Sequence, residues 1–526
     1  MTQSRLPGCA LALFALAAMV GLTAFLTHGV GLDRDVAYFL ASARILLQGA
    51  ELYVDYVSVN TLGPFLLGMA STSVSQLIGT PLDQTHKYLL ILLSGGLLSL
   101  AVLTIAPAFS RSRLGLLVTA VGLAAVTLLT PTDFGRREFL LFLCVLPWGI
   151  AITLAHGGVR PARLVSIATG IGVGFALFLK PHFALVATAL GLVDLWRSRG
   201  RIDQLTAETV VGAAVTVTLY AGFLLAYPRF LAEAVPMSLD TYGQLSPGPL
   251  FASLSFLTGE YGKPVALLLG GCIAIRLLDP LTPWFAHASR VILVFLLGAT
   301  VLAVVQGFGW RYHAQPVRLG LHVSLVFVLA WGVTWAERKL SGAGIRRAFG
   351  GLVVLGLALA VAVLMLRMAT MPPRVPEPQR PLQEALTPPS AEDAVMVVSP
   401  NVNPHSALLS TIDVRYAGAG LHHWLIPVLA RQIHCSDAPV AVSDARLREI
   451  ETWYRDIILR RFQEKPPVRA AVEVSETLLF YCSKGFDQLA WLREDPRFDA
   501  AWRDAGLVPH AVIMVYGRRF QVWRKP

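Results

Sequence analysis

The chain has 526 residues, 55% of them hydrophobic and 15% charged, with a formal net charge of +11. A soluble chain carries about 25% charged residues, so a large soluble enzyme is excluded. The apolar residues fall in runs long enough to cross a hydrocarbon core of about 30 Å, and in such a chain an excess of Lys and Arg marks cytoplasmic loops rather than nucleic-acid binding.

The first apolar run, 9–29, lacks a small-residue cleavage site and is followed by many others, so it reads as a span and not as a cleaved leader. Further spans are predicted at 88–107, 114–130, 139–155, 164–180, 183–196, 208–226, 264–278, 291–306, 316–336 and 348–367, eleven in all. The segment 61–79 contains Gly63, Pro64, Gly68 and several Ser and Thr. It reads as an amphipathic or re-entrant helix on the outer surface. With that choice and a cytoplasmic N-terminus, Arg111/Arg113, Arg160/Arg163, Arg197/Arg199/Arg201, Arg276/Arg290 and Arg338/Lys339/Arg346/Arg347 all lie in cytoplasmic loops, as the positive-inside rule prefers. A full crossing by 61–79 would turn every one of them outward.

Past the last span the composition changes. Residues 1–369 read as a transmembrane domain, 370–390 as a Pro-rich linker and 391–526 as a small extracytoplasmic α/β domain. In that domain "AVMVVSP" predicts a strand. "DARLREIETWYRDIILRRF" predicts an amphipathic helix, with Leu447, Ile450, Trp453 or Tyr454 and Ile457 at helical spacing. "AVIMVYGRRFQVWRK" predicts a terminal hairpin turning at Gly517. Cys435 and Cys482 are a candidate disulfide in an oxidising compartment. Cys9, Cys144 and Cys272 fall in apolar runs, where Cys serves as a small core residue, and there is no CxxC or Cys/His metal spacing.

Four unusual segments share the outer side in this topology: "GLDRDVAYFLASARILLQGAELYVDYVSVN" from Gly31, "TDFGRREF" (132–139), "LKPHF" (179–183) and "QGFGWRYHAQP" (306–316). Ionisable groups at membrane depth are costly and point to function. Each also has a structural reading. Asp33 and Asp35 suit the N-cap of the following helix. Arg136 and Arg137 suit a helix end among headgroups, Lys180 suits snorkelling, His182 suits the interface, and Trp310 and Tyr312 suit an aromatic belt. Together the four segments suggest a definite chemistry. A carboxylate can act as general base towards an acceptor hydroxyl, while Arg and Lys hold a phosphate. "DRD" also matches the DxD of nucleotide-sugar enzymes, but those motifs sit in soluble α/β domains.

These residues resemble the membrane-embedded GT-C glycosyltransferases, in the bacterial branch related to protein O-mannosyltransferases and the lipid A aminoarabinose transferase. The run "DVAYFLASARILLQGAELYVDY" is similar to that branch's pattern of an Asp, a helix with aromatic and Ala/Arg positions, a Gly, and then Tyr-x-Asp. The resemblance places the catalytic Asp on Asp35, with Gly49, Tyr53 and Asp55 in register. "FGRRE", "KPHF" and "GWRYH" are similar to outer-loop motifs of bacterial members. The sequence departs from the pattern at "SVNTLGPF", where Asn60 is kept, one Pro is missing and Pro64 is displaced.

The resemblance implies a mainly α, GT-C-type transmembrane helical bundle with outer juxtamembrane helices. It implies an inverting transferase on the outer face of a bacterial cytoplasmic membrane. The donor would be a polyprenyl-phosphate sugar, and the acceptor an envelope glycolipid, polysaccharide or protein. Asp35 would be the base. Asp33, Tyr53, Asp55, Asn60, Arg136, Arg137, Glu138, Lys180, His182, Trp310, Arg311, Tyr312 and His313 would be the substrate-binding set. A divalent cation (Mg or Mn) on Asp33, Asp35 and Asp55 is an option, since some members of the superfamily need one.

Two other readings stay open. A lipid-linked sugar flippase would show pseudo-repeated halves and a central charged pathway, and no repeat is visible. A polysaccharide polymerase or ligase would use a lipid-diphosphate donor and a large outer loop. The segment from Tyr227 to Lys263, with Arg229, Glu233, Asp240, Tyr242 and Gln244, keeps that reading in play.

Overall fold

The computed structural model describes residues 6–28, 30–109, 112–129, 134–241, 283–306, 311–369, 377–430, 442–475 and 486–526. Among the described residues seven helices are long and apolar enough to cross a membrane. They are α1 (Leu6–Thr27), α4 (Leu82–Ile105), α6 (Arg137–His156), α9 (Ala207–Ala226), α11 (Pro283–Val305), α12 (Gln315–Lys339) and α13 (Ala343–Ala369). The protein is a multi-pass membrane protein. Three of the eleven expected spans are shorter helices: α5 (Arg113–Leu129) and α7 (Arg163–Leu179), each 17 residues, and α8 (Ala184–Arg197), 14 residues. At about 1.5 Å per residue these reach only about 21–26 Å. The span expected at 264–278 and the Cys435–Cys482 pair lie outside the described residues. Segment 61–79 forms α3 (Gly63–Ile78), which is not among the long apolar helices.

The chain folds into two compact units, each drawn from three stretches of sequence. The first comprises residues 1–30, 88–222 and 247–371. Its helices pair through small residues. A Cβ on Gly170 or Gly174 of α7 would lie 2.6 Å from Val211 or 2.5 Å from Val215 of α9. This is the small-xxx-small spacing that lets two backbones approach where lipid supplies no hydrophobic drive. At the other end of α7's neighbour α8, Asp194 is fully buried. It accepts from the Thr206 amide at 2.9 Å, from the Thr209 hydroxyl at 2.6 Å and from Arg197 at 2.8 Å. A buried carboxylate requires such satisfaction, and here it ties α8 to the start of α9.

The second unit comprises residues 31–87, 223–246 and 372–526. It joins the C-terminal domain to α2 (Arg34–Leu47) and α3, which chain order had assigned to the transmembrane domain. The reason lies in α2, where every residue from Val36 to Ile45 is buried. One face packs on α3, where Gly68 admits Ala43; a Cβ on Gly68 would lie 2.5 Å from the Ala43 Cβ. Arg44 donates to the Leu409 carbonyl at 2.6 Å and to the Ile412 carbonyl, so α2 is bonded to the C-terminal domain directly. The expected linker is also partly structured. Residues 380–386 form α14 (Arg380–Leu386), whose Leu382 and Leu386 are fully buried.

The C-terminal domain carries a mixed sheet in the order β2-β1-β3-β6-β5, with β4 (Phe486–Asp487) also on β3. β1 (Ala394–Val398) is parallel to both β2 (Arg415–Tyr416) and β3 (Pro467–Ser475). It is buried throughout, as a parallel strand covered on both faces should be. The predicted hairpin is present as β5 (Val508–Val515) and β6 (Arg518–Arg524), antiparallel, with Gly517 at φ 73° in the turn. The predicted amphipathic helix is α17 (Asp444–Glu464), capped by Ser443. Of its two aromatic candidates, Tyr454 is the one buried in the core.

Two histidines in this core are wholly buried. His405 bonds the Leu421 carbonyl, and His423 bridges the Val397 carbonyl at 3.0 Å and the Tyr454 hydroxyl at 2.6 Å. Burial pushes His405 down to about 4 and His423 down to about 3, from an ordinary 6.5. Both are neutral in the fold and protonated in the unfolded chain below about pH 6.5. Their contribution to stability is therefore present above that pH and is lost as pH falls towards 4. The expected loss is about 1.4 kcal/mol per pH unit for each histidine. Hydrogen exchange of β1 and β3 peptides in the full chain should show opening energies falling with this slope; a flat profile between pH 6.5 and 4 would contradict it.

Candidate active site

Three of the four outer segments meet within the first unit. Gly135, at φ 80°, turns the chain into α6. Arg136 is the N-cap, and Arg137 and Glu138 open the helix. At the far end of α7, Pro181 stops the helix, because the residue before a proline is pushed out of the α region. Lys180 is accordingly extended, at φ −159° and ψ 120°. Its ammonium turns aside to Glu138 at 2.9 Å and also donates to the Gln306 side-chain carbonyl. Glu138 is 2% exposed. Arg136 is buried with its guanidinium 4.6 Å from the centre of the Tyr312 ring, and Tyr312 lies edge-on to His313 at 4.4 Å. His313 is buried. His182 is exposed in a short turn, Pro181–Phe183, between α7 and α8. Arg311 begins a similar turn, Arg311–Ala314, which leads into α12 with Pro316 in its first turn. Trp310 lies outside the described residues.

Glu138 therefore serves as the ion-pair partner of Lys180. Arg136, Arg137, Lys180 and Glu138 together carry a net charge of two positive units. Farther along the same helices, Phe142, Val145, Gly149, Phe295, Gly320 and Val323 line an apolar cavity between α6, α8, α11 and α12.

The fourth segment belongs to the second unit. Asp33 is the N-cap of α2 and accepts the Asp35 amide at 2.9 Å. Asp35 sits half-buried in the first turn of the helix. Gly49, at φ 94°, takes the chain out of α2 into a tight loop. Tyr53 is buried in that loop with a left-handed φ of 68°. Its hydroxyl donates to the Asn60 carbonyl, and its ring is set among Phe223, Tyr227 and Phe230 at 5.4–6.3 Å. Asp55 accepts the Glu51 amide at 3.0 Å and pairs with Arg460 of α17 at 2.9 Å. The side chain of Asn60 donates to Ser58 at 3.3 Å. In the structure the Tyr-x-Asp element is thus a loop closure. Tyr53 and Asp55 hold the segment to its own unit, although the sequence had suggested substrate contacts for them.

The carboxylates of Asp33, Asp35 and Asp55 do not fit a shared metal. Asp55 already bears a guanidinium, and among the described residues no three His, Cys, Asp or Glu gather in a way that could hold an ion. In the large loop, Asp240 pairs with Arg446 of α17 at 3.1 Å and Arg229 with Glu233 at 3.8 Å; Tyr242 and Gln244 lie outside the described residues. Sequence reasoning missed Gln306, Arg44 and Arg460. Gln306 had one signal, a lone amide ending an apolar run. The arginines had none, since their partners lie hundreds of residues away.

No protein-family model matches the chain, and no curated protein is similar to it in sequence. Two solved structures share its fold over nearly its whole length. The crystal structure of ArnT from Cupriavidus metallidurans bound to undecaprenyl phosphate is similar with a TM-score of 0.54 at 12% identity, over 98% of this chain and 97% of that one. The apo state of ArnT gives 0.53 at 15% identity with the same coverage.

The chain shares the fold of ArnT.

At such low identity the likeness fixes the architecture and not the role of any residue. Roles therefore follow from the geometry. The buried Lys180–Glu138 pair is its most testable element, because removing one partner leaves the other charge uncompensated. Lys180→Met should lower stability by about 3–5 kcal/mol. Adding Glu138→Gln should restore part of the loss, with a coupling of about 1–3 kcal/mol. Thermal midpoints of the purified full chain and its three variants would measure this; purely additive losses would show that the two residues act separately.

Proposed function

We propose that the protein transfers a sugar from a polyprenyl-phosphate donor to a hydroxyl of a cell-envelope acceptor, on the outer face of the bacterial cytoplasmic membrane. The observation that carries this reading is the gathering of Arg136, Arg137 and Lys180 at the start of α6, in a unit whose helices also line an apolar cavity. A lipid phosphate combines an anionic head with an apolar tail. The fold shared with ArnT, crystallised with undecaprenyl phosphate, supports the same donor class.

The cations also suit the reaction. A sugar phosphodiester carries one negative charge, and the released monophosphate carries about 1.5–2 at neutral pH. Interactions that strengthen as charge develops are the ones that accelerate the step.

Asp35 is assigned as general base. It takes the proton of the acceptor hydroxyl, whose oxygen attacks the anomeric carbon. The bond from that carbon to the phosphate oxygen breaks, its electron pair stays with the phosphate, and the anomeric configuration inverts. Asp33 positions Asp35 through its amide. Tyr53, Asp55 and Asn60 position the loop after α2. Arg136, Arg137 and Lys180 bind the phosphate, with Glu138 and Gln306 orienting Lys180. His182, Arg311, Tyr312 and His313 complete the surroundings on the headgroup side. No step is routed through a metal.

Native mass spectrometry of the full chain with added undecaprenyl phosphate tests the donor site. Arg137→Ala and Lys180→Ala should each weaken binding by about tenfold or more, the loss of one charge-assisted contact, while Asp35→Asn should bind as wild type does. Retained binding in both cation variants would refute the phosphate assignment.

A further inference from the structure

The cavity between α6, α8, α11 and α12 extends away from the cations, towards the opposite end of the bundle. Its wall on α6 is a helical stripe of Phe142, Val145, Gly149 and Thr153, about 17 Å long at 1.5 Å per residue. The cavity measures about 60 Å³, where a single water needs roughly 10–15 Å³ in the same measure. Most of its lining is buried, but Leu146 and Gly149 of α6 and Ile292 of α11 are only half-buried. It therefore opens where those two helices meet. The polar side chains in its lining are Thr153 and Ser324, and their hydroxyls donate to the Gly149 carbonyl at 2.9 Å and the Gly320 carbonyl at 2.6 Å. With both hydroxyls occupied, the cavity suits a hydrocarbon chain.

One turn past Thr153 the chemistry changes. His156 ends α6, about 30 Å from Arg137 at its start. Its ring stacks on that of His287, with centroids 4.4 Å apart and planes at 25°, and lies 6.3 Å from the Trp196 ring of α8. His287 directly precedes Ala288 and is one turn from Val291, both of which line the cavity. Nδ1 of His156 is tied to the Ile152 carbonyl at 3.0 Å. Nδ1 of His287 is buried and has no hydrogen-bond partner among the described residues. Buried polar atoms without partners are rare in native folds and ask for an explanation. Arg290, one turn further along α11, is exposed and close enough to act on the His287 ring. The neighbouring carboxylate on α8, Asp194, is already taken up by Arg197, Thr206 and Thr209.

We propose that this end of the bundle binds a glycerophospholipid with an anionic headgroup. Part of one acyl chain enters the cavity between α6 and α11, and the phosphate meets Arg290 and the His287 ring. A guanidinium is always charged, and an imidazole nitrogen can donate to a phosphate oxygen. Basic sites between membrane helices take anionic headgroups in this way. The site lies at the face of the membrane opposite the proposed donor site, so one lipid phosphate cannot serve both. The prenyl chain of a donor held at Lys180 could fill the cavity, but it would bring no anion to Arg290. The inference goes beyond the transferase reading and does not depend on it.

Native mass spectrometry of the detergent-solubilised full chain tests this, with phosphatidylglycerol, phosphatidylcholine and glycerol phosphate as probes. The wild type should retain one phosphatidylglycerol about tenfold better than phosphatidylcholine, the difference of one charge-assisted contact. Glycerol phosphate, which has no chain, should not displace it. Arg290→Ala, at an exposed position, should abolish the preference. His287→Phe, which keeps a ring in the stack, should weaken it. Both variants should bind undecaprenyl phosphate as the wild type does, which shows that they fold. Phosphatidylglycerol with a diazirine on one acyl chain should label peptides from 142–154 and 288–295, and excess undecaprenyl phosphate should not reduce the labelling. Equal retention of the two phospholipids, or an undiminished preference in Arg290→Ala, would overturn the inference. Labelling confined to other helices would overturn it too, and so would labelling suppressed by undecaprenyl phosphate, which would give the cavity to the donor's tail.

Discussion

Arg44 fixes the part of the protein on which the proposed chemistry turns. Its guanidinium is buried at the end of α2 and donates to the carbonyls of Leu409 and Ile412. Burial pushes it down to about 10, with Asp413 pulling the other way, so it stays charged at neutral pH. A buried cation needs such partners, and the last carbonyls around a short helix need donors. One side chain answers both demands, and in doing so makes α2 part of the C-terminal domain. Gln48 to the Val414 carbonyl, the Val57 amide to the Ala419 carbonyl and Arg460 to Asp55 extend the same joint. The helix carrying Asp35 is thus held by the C-terminal domain.

The first unit solves a different problem. In hydrocarbon, backbone and charge must be satisfied internally. Its charged residues accordingly sit where helices begin or end: Arg136 and Arg137 at the start of α6, Lys180 at the forced stop of α7, and Tyr312 and His313 ahead of α12. The Lys180–Glu138 pair compensates one charge with another, and the Arg136 guanidinium is set against the Tyr312 ring.

Much of this was legible in the sequence, and the parts that were not share a cause. Apolar runs and the strand, helix and hairpin of the C-terminal domain follow local periodicity, which survives without tertiary knowledge. Helix ends were readable where a residue dictates them, as Pro181 does for Lys180. Segment 61–79 was read as an amphipathic or re-entrant helix because Gly63, Pro64 and the hydroxyl residues spoil its hydropathy, and it forms the 16-residue helix α3. The grouping of 31–87 with the C-terminal domain was not readable. It depends on Arg44, Gln48 and Asp55 finding partners more than 350 residues later. The internal partners of Tyr53 and Asp55 were not readable either, because short polar motifs do not reveal which distant groups their polar atoms meet. The linker hid α14 because Pro381 in its first turn suits a helix start as well as it suits an extended spacer.

The central claim is that Asp35 drives transfer of one particular sugar from a lipid phosphate carrier. The most direct test compares envelope glycolipids and polysaccharides by mass spectrometry in a strain lacking the protein, restored with wild type or with Asp35→Asn at matched membrane levels. The account predicts that a single sugar is missing in both the deletion and the Asp35→Asn strain, and that its polyprenyl-phosphate carrier accumulates in both. A strain restored with Asp35→Asn that carries the full wild-type set of sugars, while the deletion does not, would contradict it.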